Sequence, residues 1–142
     1  MVWDGSCGFC RYWITRWQLI TGEKIHYVPY QQAHKNFPDL DVDLFRQAVR
    51  LIETDGAVYS GPHAALKALH IGGRYSRWLK IYERSPFVRR ILDGLYCFVA
   101  RKRKLMMTLT RFSFGSNPTR LKPYWLLWLL AFVGLVALLM RL

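Results

Sequence analysis

The spacing of apolar positions predicts a strand, a helix and a second strand in the first 30 residues. Residues 1–3 form a short apolar start, and residues 24–30 alternate between apolar and polar positions as strands do. Between these segments apolar residues recur at helical spacing. They are Phe9, Trp13, Trp17 and Ile20. Gly22 is expected to end the helix, because glycine readily adopts the backbone angles of a helix C-terminus.

The following apolar segments predict a hairpin and a second helix. Residues 50–54 and 57–60 lie on either side of Asp55-Gly56, a dipeptide that is typical of tight hairpin turns. Pro62 stands where proline is favoured, near the start of a helix. Gly72-Gly73 is expected to end this helix.

The segment before the hairpin predicts a loop and a short helix. Residues 31–39 are polar and contain Pro38, and Asp41 or Asp43 can cap a helix that runs to Ala48. The elements then follow in the order β-α-β-(α)-β-β-α. The first crossover requires parallel strands, and the hairpin adds an antiparallel pair. We therefore expect an α/β fold with a thioredoxin-like mixed sheet of about four strands and flanking helices.

The charge is unevenly distributed along the 142-residue chain, which has a net charge of +12. Residues 1–73 hold seven basic and seven acidic residues, whereas residues 74–142 hold fourteen basic residues and two acids. Residues 74–84 and 86–104 have helical patterns, the second with one apolar stripe formed by Phe87, Ile91, Leu95 and Phe98. We therefore expect a basic helical extension packed on the core. No nucleic-acid recognition element accompanies this charge, and no nucleic-acid partner is predicted.

The C-terminal segment predicts a transmembrane helix. Residues 124–140 are seventeen uncharged, mostly apolar residues, and Lys122 and Arg141 can extend their reach. Seven basic residues within residues 101–122 precede this segment and one follows it. The positive-inside rule then places the rest of the chain on the cytoplasmic face, where the basic residues can contact anionic membrane lipid. The alternative is a helix buried in a protein core.

Cys7 and Cys10 form a C-x-x-C pair where the first helix is expected to begin. Free N–H groups and the helix dipole stabilise an anion at such a position. The pKa of Cys7 should therefore be lowered, and Arg11 can add to this effect. Since the thiolate is the reactive form of cysteine, a lowered pKa activates Cys7. Cys7 is therefore the expected nucleophile and Cys10 the resolving thiol, so the pattern favours redox chemistry.

Two other interpretations of the pair stay open. It can be structural, or it can bind zinc with two further ligands. The candidate ligands lack the usual zinc-site spacing; they are His26, His34, His63, His70 and Cys97. Cys97 lies between two aromatic residues on an apolar helix face, so we expect a buried structural thiol. His63 and His70 are expected to be surface or capping residues.

Asp4 lies three residues before Cys7, and two roles are open to it. Its carboxylate can take the proton of Cys10 during exchange. It can instead accept backbone N–H bonds within the turn Asp4-Gly5-Ser6.

Three segments resemble the DCC family of thiol–disulfide oxidoreductases, in matching order over about residues 1–115. Residues 3–11 (WDGSCGFCR) resemble the family's opening, an aromatic residue followed by D-G-x-C-x-x-C. Residues 55–69 (DGAVYSGPHAALKAL) resemble its hairpin and following helix. Residues 95–103 (LYCFVARKR) resemble its closing Y-x-x-x-A-x-x-R helix, carried here by Tyr96, Ala100 and Arg103.

The resemblance implies a thioredoxin-like fold with Cys7 and Cys10 as the redox-active disulfide pair. Thioredoxins place a cis-proline just before the third core strand, where this chain has Val49-Arg50. A proline-dependent mode of substrate binding is therefore not implied.

We predict from these patterns a membrane-anchored thiol–disulfide oxidoreductase that acts as a reductase, since cytoplasmic thiols are kept reduced. It needs an electron donor but no organic cofactor, and its partners are protein or small-molecule thiols and disulfides. The alternative is a membrane-tethered binding module whose C-x-x-C pair is structural or binds metal. The predicted segments are a redox core (1–73), a basic helical extension (74–110), a linker (111–122) and a transmembrane anchor (123–142).

Overall fold

The computed structural model describes residues 1–33 and 41–139. The strands in this part of the chain are β1 (Val2–Trp3), β2 (Val28–Pro29), β3 (Arg50–Ile52) and β4 (Val58–Ser60). The helices are α1 (Gly8–Thr21), α2 (Tyr30–Ala33), α3 (Val42–Gln47), α4 (Gly61–Ile71), α5 (Ser76–Arg84), α6 (Pro86–Arg101), α7 (Arg103–Phe114) and α8 (Tyr124–Leu139).

The four strands form one mixed sheet in the order β2-β1-β3-β4. Val2 of β1 lies opposite Val28 of the parallel strand β2. Strands β1 and β3 are antiparallel, and β3 and β4 form an antiparallel hairpin that turns at Gly56. The α/β class, the mixed four-stranded sheet and the flanking helices are therefore confirmed.

The second predicted strand is shorter than its sequence pattern. Gly22–Lys24 form a 3-10 turn, and only Val28–Pro29 pair with the sheet. The reason is that β1 offers only two residues for pairing. Tyr30 already begins α2, so the loop predicted over residues 31–39 is wrong at its start. Pro38 lies outside the described residues.

The apolar core lies on both faces of the sheet, as the alternation of side chains along a strand requires. Met1 belongs to a cluster on one face, where α1 and α4 pack. Val2 belongs to a cluster on the other face, where α2 and α3 pack. Phe45 of α3 is 1% exposed and is the largest fully buried side chain among the described residues.

Helices α5, α6 and α7 form the basic extension, and α7 packs against α1. The apolar stripe of α6 faces solvent: Phe87, Ile91, Leu95 and Phe98 are between 45% and 74% exposed. The opposite side of the helix, which carries Tyr96 and Ala100, faces the core. Helical spacing identified the stripe but could not choose which side of the helix packs.

The C-terminal segment departs from its predicted boundaries. Helix α7 continues to Phe114, so the connection to α8 is shorter than the linker predicted over residues 111–122. In residues 1–33 and 41–139 no helix is long and apolar enough to cross a membrane. Helix α8 has 16 residues, about 24 Å at 1.5 Å per residue, and the transmembrane prediction is not supported. Met140 and Arg141 lie outside the described residues.

Candidate redox site

The turn after β1 places Cys7 at the N-cap of α1. Asp4 Oδ1 accepts hydrogen bonds from the N–H and hydroxyl of Ser6, at 3.1 and 2.7 Å. Asp4 O accepts a bond from Cys7 N–H at 3.2 Å. Cys7 Sγ in turn accepts a hydrogen bond from Cys10 N–H, also at 3.2 Å. The sulfur thus occupies the position where a helix N-terminus stabilises negative charge, as the sequence predicts.

Cys7 and Cys10 are partly buried free thiols with opposite acid–base properties. A hydrogen bond from the Cys10 thiol lowers the pKa of Cys7 to about 6, with further lowering from Cys10 N–H and Arg103 against an opposing effect of burial. The same thiol–thiol bond, together with burial, raises the pKa of Cys10. One sulfur can therefore carry the negative charge while the other keeps its proton, and disulfide exchange needs this division.

Both carboxylate oxygens of Asp4 have partners. Oδ1 also accepts a bond from Gln31 Nε2 at 3.1 Å, and Oδ2 lies 3.4 Å from Arg103 Nη1. The bond from Ser6 N–H corresponds to the turn-stabilising role, one of the two predicted for this residue. The negative charge of Asp4 also opposes ionisation of both thiols, so it raises their pKa values.

Arg103, the first residue of α7, joins the basic extension to this turn. Besides the ion pair with Asp4, its Nη2 donates to Arg46 O at 2.7 Å and to Gln47 O at 2.8 Å. Its guanidinium lowers the pKa of both thiols. The residue patterns suggested Arg11 for this effect, but the Arg11 guanidinium donates to a backbone carbonyl. The available signal for Arg103 was its place in the Y-x-x-x-A-x-x-R segment.

An apolar cavity of about 220 Å³ lies beside Cys10. The aromatic face of α1 forms one wall, and residues of β1, α3 and α6 complete the aromatic lining. The rings are those of Trp3, Phe9, Trp13, Trp17, Phe45 and Tyr96. The buried Nε1 of Trp3 has no hydrogen-bond partner in the described residues. This cavity can accommodate an apolar group next to the Cys10 thiol.

A larger cleft of about 930 Å³ shares a wall with the cavity. The shared residues are Ala48, Tyr96, Ala100 and Arg103. Among the described residues, four arginines and one acid line the cleft. They are Arg46, Arg50, Arg101, Arg103 and Asp93. The apolar cavity beside Cys10 is therefore bordered by a basic cleft.

The peptide groups of Val49, the residue just before β3, are already hydrogen-bonded. Its N–H donates to Tyr96 Oη at 3.1 Å, and its carbonyl accepts from Gly61 N–H at 2.9 Å. A Cβ on Gly61 would lie 3.3 Å from the Tyr96 ring, so the two residues are closely packed. A partner backbone therefore cannot accept the Val49 N–H without displacing its bond to Tyr96 Oη.

A family model for DCC1-like thiol-disulfide oxidoreductases matches residues 1–109. The chain belongs to this family. No significant match was found among curated proteins or solved structures.

In this DCC1-like protein, segments that are distant in sequence meet around the thiols. Tyr96, Ala100 and Arg103 are spaced by four and three residues, so they share one side along α6 and the start of α7. All three line both the cavity and the cleft, and Arg103 reaches Asp4. The closing segment of the DCC1-like sequence therefore forms part of the site that its opening segment begins.

Of the remaining predicted residues, Cys97 and His63 line the basic cleft, and neither lines the cavity beside Cys10. Cys97 is exposed, so the prediction of a buried thiol is wrong: it lines the open cleft, whereas the adjacent Tyr96 also lines the apolar cavity. His63 Nε2 lies 3.2 Å from Glu83, and His70 Nδ1 lies 2.8 Å from Ser76 Oγ. Within the described ranges no group of three or more His, Cys, Asp or Glu could hold a metal ion. His34, a candidate ligand, lies outside those ranges.

Proposed function

We propose that this DCC1-like protein is a thioredoxin-like oxidoreductase that exchanges thiols and disulfides through Cys7 and Cys10. The observation that carries the proposal is the N-cap position of Cys7, whose sulfur accepts the N–H of Cys10 at 3.2 Å. A β-α-β unit followed by a hairpin and a helix, with the cysteines at the first helix N-terminus, supports the thioredoxin-like comparison. Family membership supports the reaction class.

The proposed reaction begins when the Cys7 thiolate attacks one sulfur of a partner disulfide. The partner's S–S bond breaks, a mixed disulfide forms at Cys7, and the first partner thiolate leaves. Cys10 then gives up its proton, attacks Cys7 Sγ and releases the second partner thiolate. The partner gains two electrons and Cys7–Cys10 becomes a disulfide, which an external thiol donor reduces again. No organic cofactor takes part.

We assign Asp4 the acceptor role for the Cys10 proton. Its carboxylate lies in the turn that carries Cys7, and the Arg103 guanidinium faces it at 3.4 Å. The hydrogen bond to Cys7, burial and, to a smaller extent, the charge of Asp4 raise the pKa of Cys10 and keep it protonated. The contribution of the Cys7 thiolate ends when the mixed disulfide replaces it. A carboxylate at this place can then accept the proton as Cys10 attacks.

Reduction of partner disulfides is the proposed direction. Stabilising the Cys7 thiolate favours the reduced dithiol over the Cys7–Cys10 disulfide, and this makes the pair a weaker reductant. The pKa of about 6 for Cys7 is closer to the value of about 7 in thioredoxin, a reductant, than to about 3.5 in a strongly oxidising relative. A cytoplasmic position of the thiols would keep the pair reduced.

Reaction with hydroxyethyl disulfide tests the exchange function. The reduced full-length protein should release both halves of the reagent as thiols, and mass spectrometry should find a Cys7–Cys10 disulfide. The Cys7→Ser/Cys97→Ser variant should release none, and Cys97→Ser should behave as the wild type does. If the wild type releases no more thiol than Cys7→Ser/Cys97→Ser, the exchange function is wrong and the binding-module alternative takes its place.

We also propose that the C-terminal end associates with membranes, with the thiols on the cytoplasmic face. Exposed apolar side chains on α8 support this, among them Leu127 at 61%, Leu130 at 67% and Phe132 at 64%. Basic residues precede this helix and can contact anionic headgroups. They include Arg111, Arg120 and Lys122.

A further inference from the structure

The arginine-lined cleft has more positive charge than its own acids can neutralise. Arg50 Nε donates to Leu44 O at 3.2 Å, but no described carboxylate pairs with its guanidinium. Partial burial lowers the pKa of Arg50, because the charged form loses hydration there. Arg101 is exposed and likewise has no described carboxylate partner. Asp93, the one described acid in the lining, accepts the hydroxyl of Tyr82 at 2.8 Å.

The cleft shares Arg103 with the cavity that Cys10 lines. Arg103 lines it, faces Asp4 in the Cys7 turn, and stabilises thiolate at Cys7 and Cys10. A volume of about 930 Å³ falls within the range of concave sites for small molecules, about 300–1,000 Å³. A molecule bound in this cleft would contact the wall that separates it from the cavity beside Cys10.

We propose that this cleft binds the carboxylates of an anionic low-molecular-weight disulfide, whose sulfur then reaches Cys7. This inference rests on the proposed exchange function and names its substrate class. Arg50 and Arg101 supply unpaired guanidinium groups, which bind carboxylates in a bidentate manner. The exchange step is the one described above: the Cys7 thiolate bonds to one substrate sulfur, and the other half leaves as a thiolate.

Three small disulfides of different charge provide the test. Oxidised glutathione carries net negative charge, hydroxyethyl disulfide is neutral, and cystamine is positively charged. The full-length Cys10→Ser/Cys97→Ser protein retains Cys7 as its one thiol, so exchange stops at the mixed disulfide. Mass spectrometry then gives the rate of adduct formation with each reagent at low salt.

Arg50→Gln and Arg101→Gln in this background should lower the ratio of the glutathione rate to the hydroxyethyl rate by about threefold each. The double substitution should lower it by about tenfold, because clefts of one charge sign raise the encounter rates of opposite charges by about 10–10³. The ratio of the cystamine rate to the hydroxyethyl rate should rise in the same variants. Arg101→Gln removes no described contact, so it keeps the test valid if Arg50→Gln fails to fold.

Arg74→Gln is the matched control, because it removes the same charge at the far end of α4 from the cleft. It should leave all three rates unchanged. Equal rate ratios in Arg101→Gln and Arg74→Gln would overturn the proposed cleft and leave the exchange function standing. Absence of adducts with every reagent would overturn the exchange function, and the substrate class with it.

Discussion

Arg103 Nη1 lies 3.4 Å from Asp4 Oδ2, although 99 positions separate the two residues in the chain. Their side chains are only 21% and 14% exposed, so water screens this ion pair less than a surface pair. The same guanidinium donates to the carbonyls of Arg46 and Gln47. Arg103 therefore connects α7 with the turn that carries Cys7 and with the end of α3. The basic extension thus contributes to the surroundings of the two thiols.

Replacing Arg103 should affect both the reactivity of Cys7 and the stability of the fold. Arg103→Gln removes a positive charge from the thiols, so the pKa of Cys7 should rise. The loss of two charge-assisted hydrogen bonds and of the part-buried contact with Asp4 should lower the free energy of unfolding by about 1–3 kcal/mol. Alkylation as a function of pH and urea unfolding measure the two effects. Lys104→Gln, at an exposed neighbouring residue, should change neither; equal effects of the two variants would contradict the role of Arg103.

The Cys7 thiol should titrate near pH 6. In the reduced protein, peptide mapping after iodoacetamide treatment should show half-maximal alkylation of Cys7 near pH 6, while Cys10 stays unreactive there. Because the folded-state pKa of Cys7 is lowered, its ionisation stabilises the folded state above the pKa of a free thiol. This stabilisation is lost as the pH falls toward 6. The free energy of unfolding, relative to Cys7→Ser, should therefore decrease over that range. Alkylation of Cys7 with the pH dependence of a free thiol, about 8.5, would contradict this prediction.

The contact between Gly61 and Tyr96 predicts a specific loss of stability. Gly61 has a φ of 55°, and an added Cβ would lie 3.3 Å from the Tyr96 ring. Gly56 also has a positive φ, at 89°, but an added Cβ there meets open space. Both alanine variants should lose about 1 kcal/mol from backbone strain, and Gly61→Ala should lose about 1 kcal/mol more from crowding. Urea unfolding measures the difference. Equal losses would mean that Tyr96 does not restrict this position.

Membrane association should depend on residues 123–142. Removal of this segment should reduce the fraction of protein that floats with anionic vesicles. The remaining binding should fall with salt, because the basic residues act through screened surface attraction. Binding of the intact chain should resist the same salt, since apolar side chains contribute to it. Complete release of the intact chain by salt alone would contradict the contribution of the C-terminal segment.

Local chemistry made much of the redox core predictable. Asp41 caps α3 by accepting Asp43 N–H, Gly22 ends α1, and Asp55-Gly56 turns the hairpin. Each of these features depends on a few neighbouring residues, so the sequence pattern is sufficient. The N-cap position of Cys7 follows in the same way from the turn that precedes it.

The rest of the site depends on how helices pack, which a local pattern does not specify. Helix α6 carries apolar residues on more than one side, so spacing alone could not show that Phe87 faces solvent and Tyr96 faces the core. The bond from Val49 N–H to Tyr96 and the ion pair of Arg103 with Asp4 follow from that choice. For the same reason Cys97, placed among apolar neighbours, was expected to be buried and is exposed.

The most direct test of the account is to capture the mixed disulfide at Cys7. Cells expressing full-length Cys10→Ser should accumulate adducts that dithiothreitol releases, because the resolving thiol is missing and exchange stops after the first attack. Both variants also carry Cys97→Ser, which removes the exposed third thiol. Mass spectrometry should then locate the adducts at Cys7, and Cys7→Ser should form none. Adducts that persist in Cys7→Ser, or their absence from both variants, would contradict Cys7 as the attacking thiol of a disulfide-exchange enzyme.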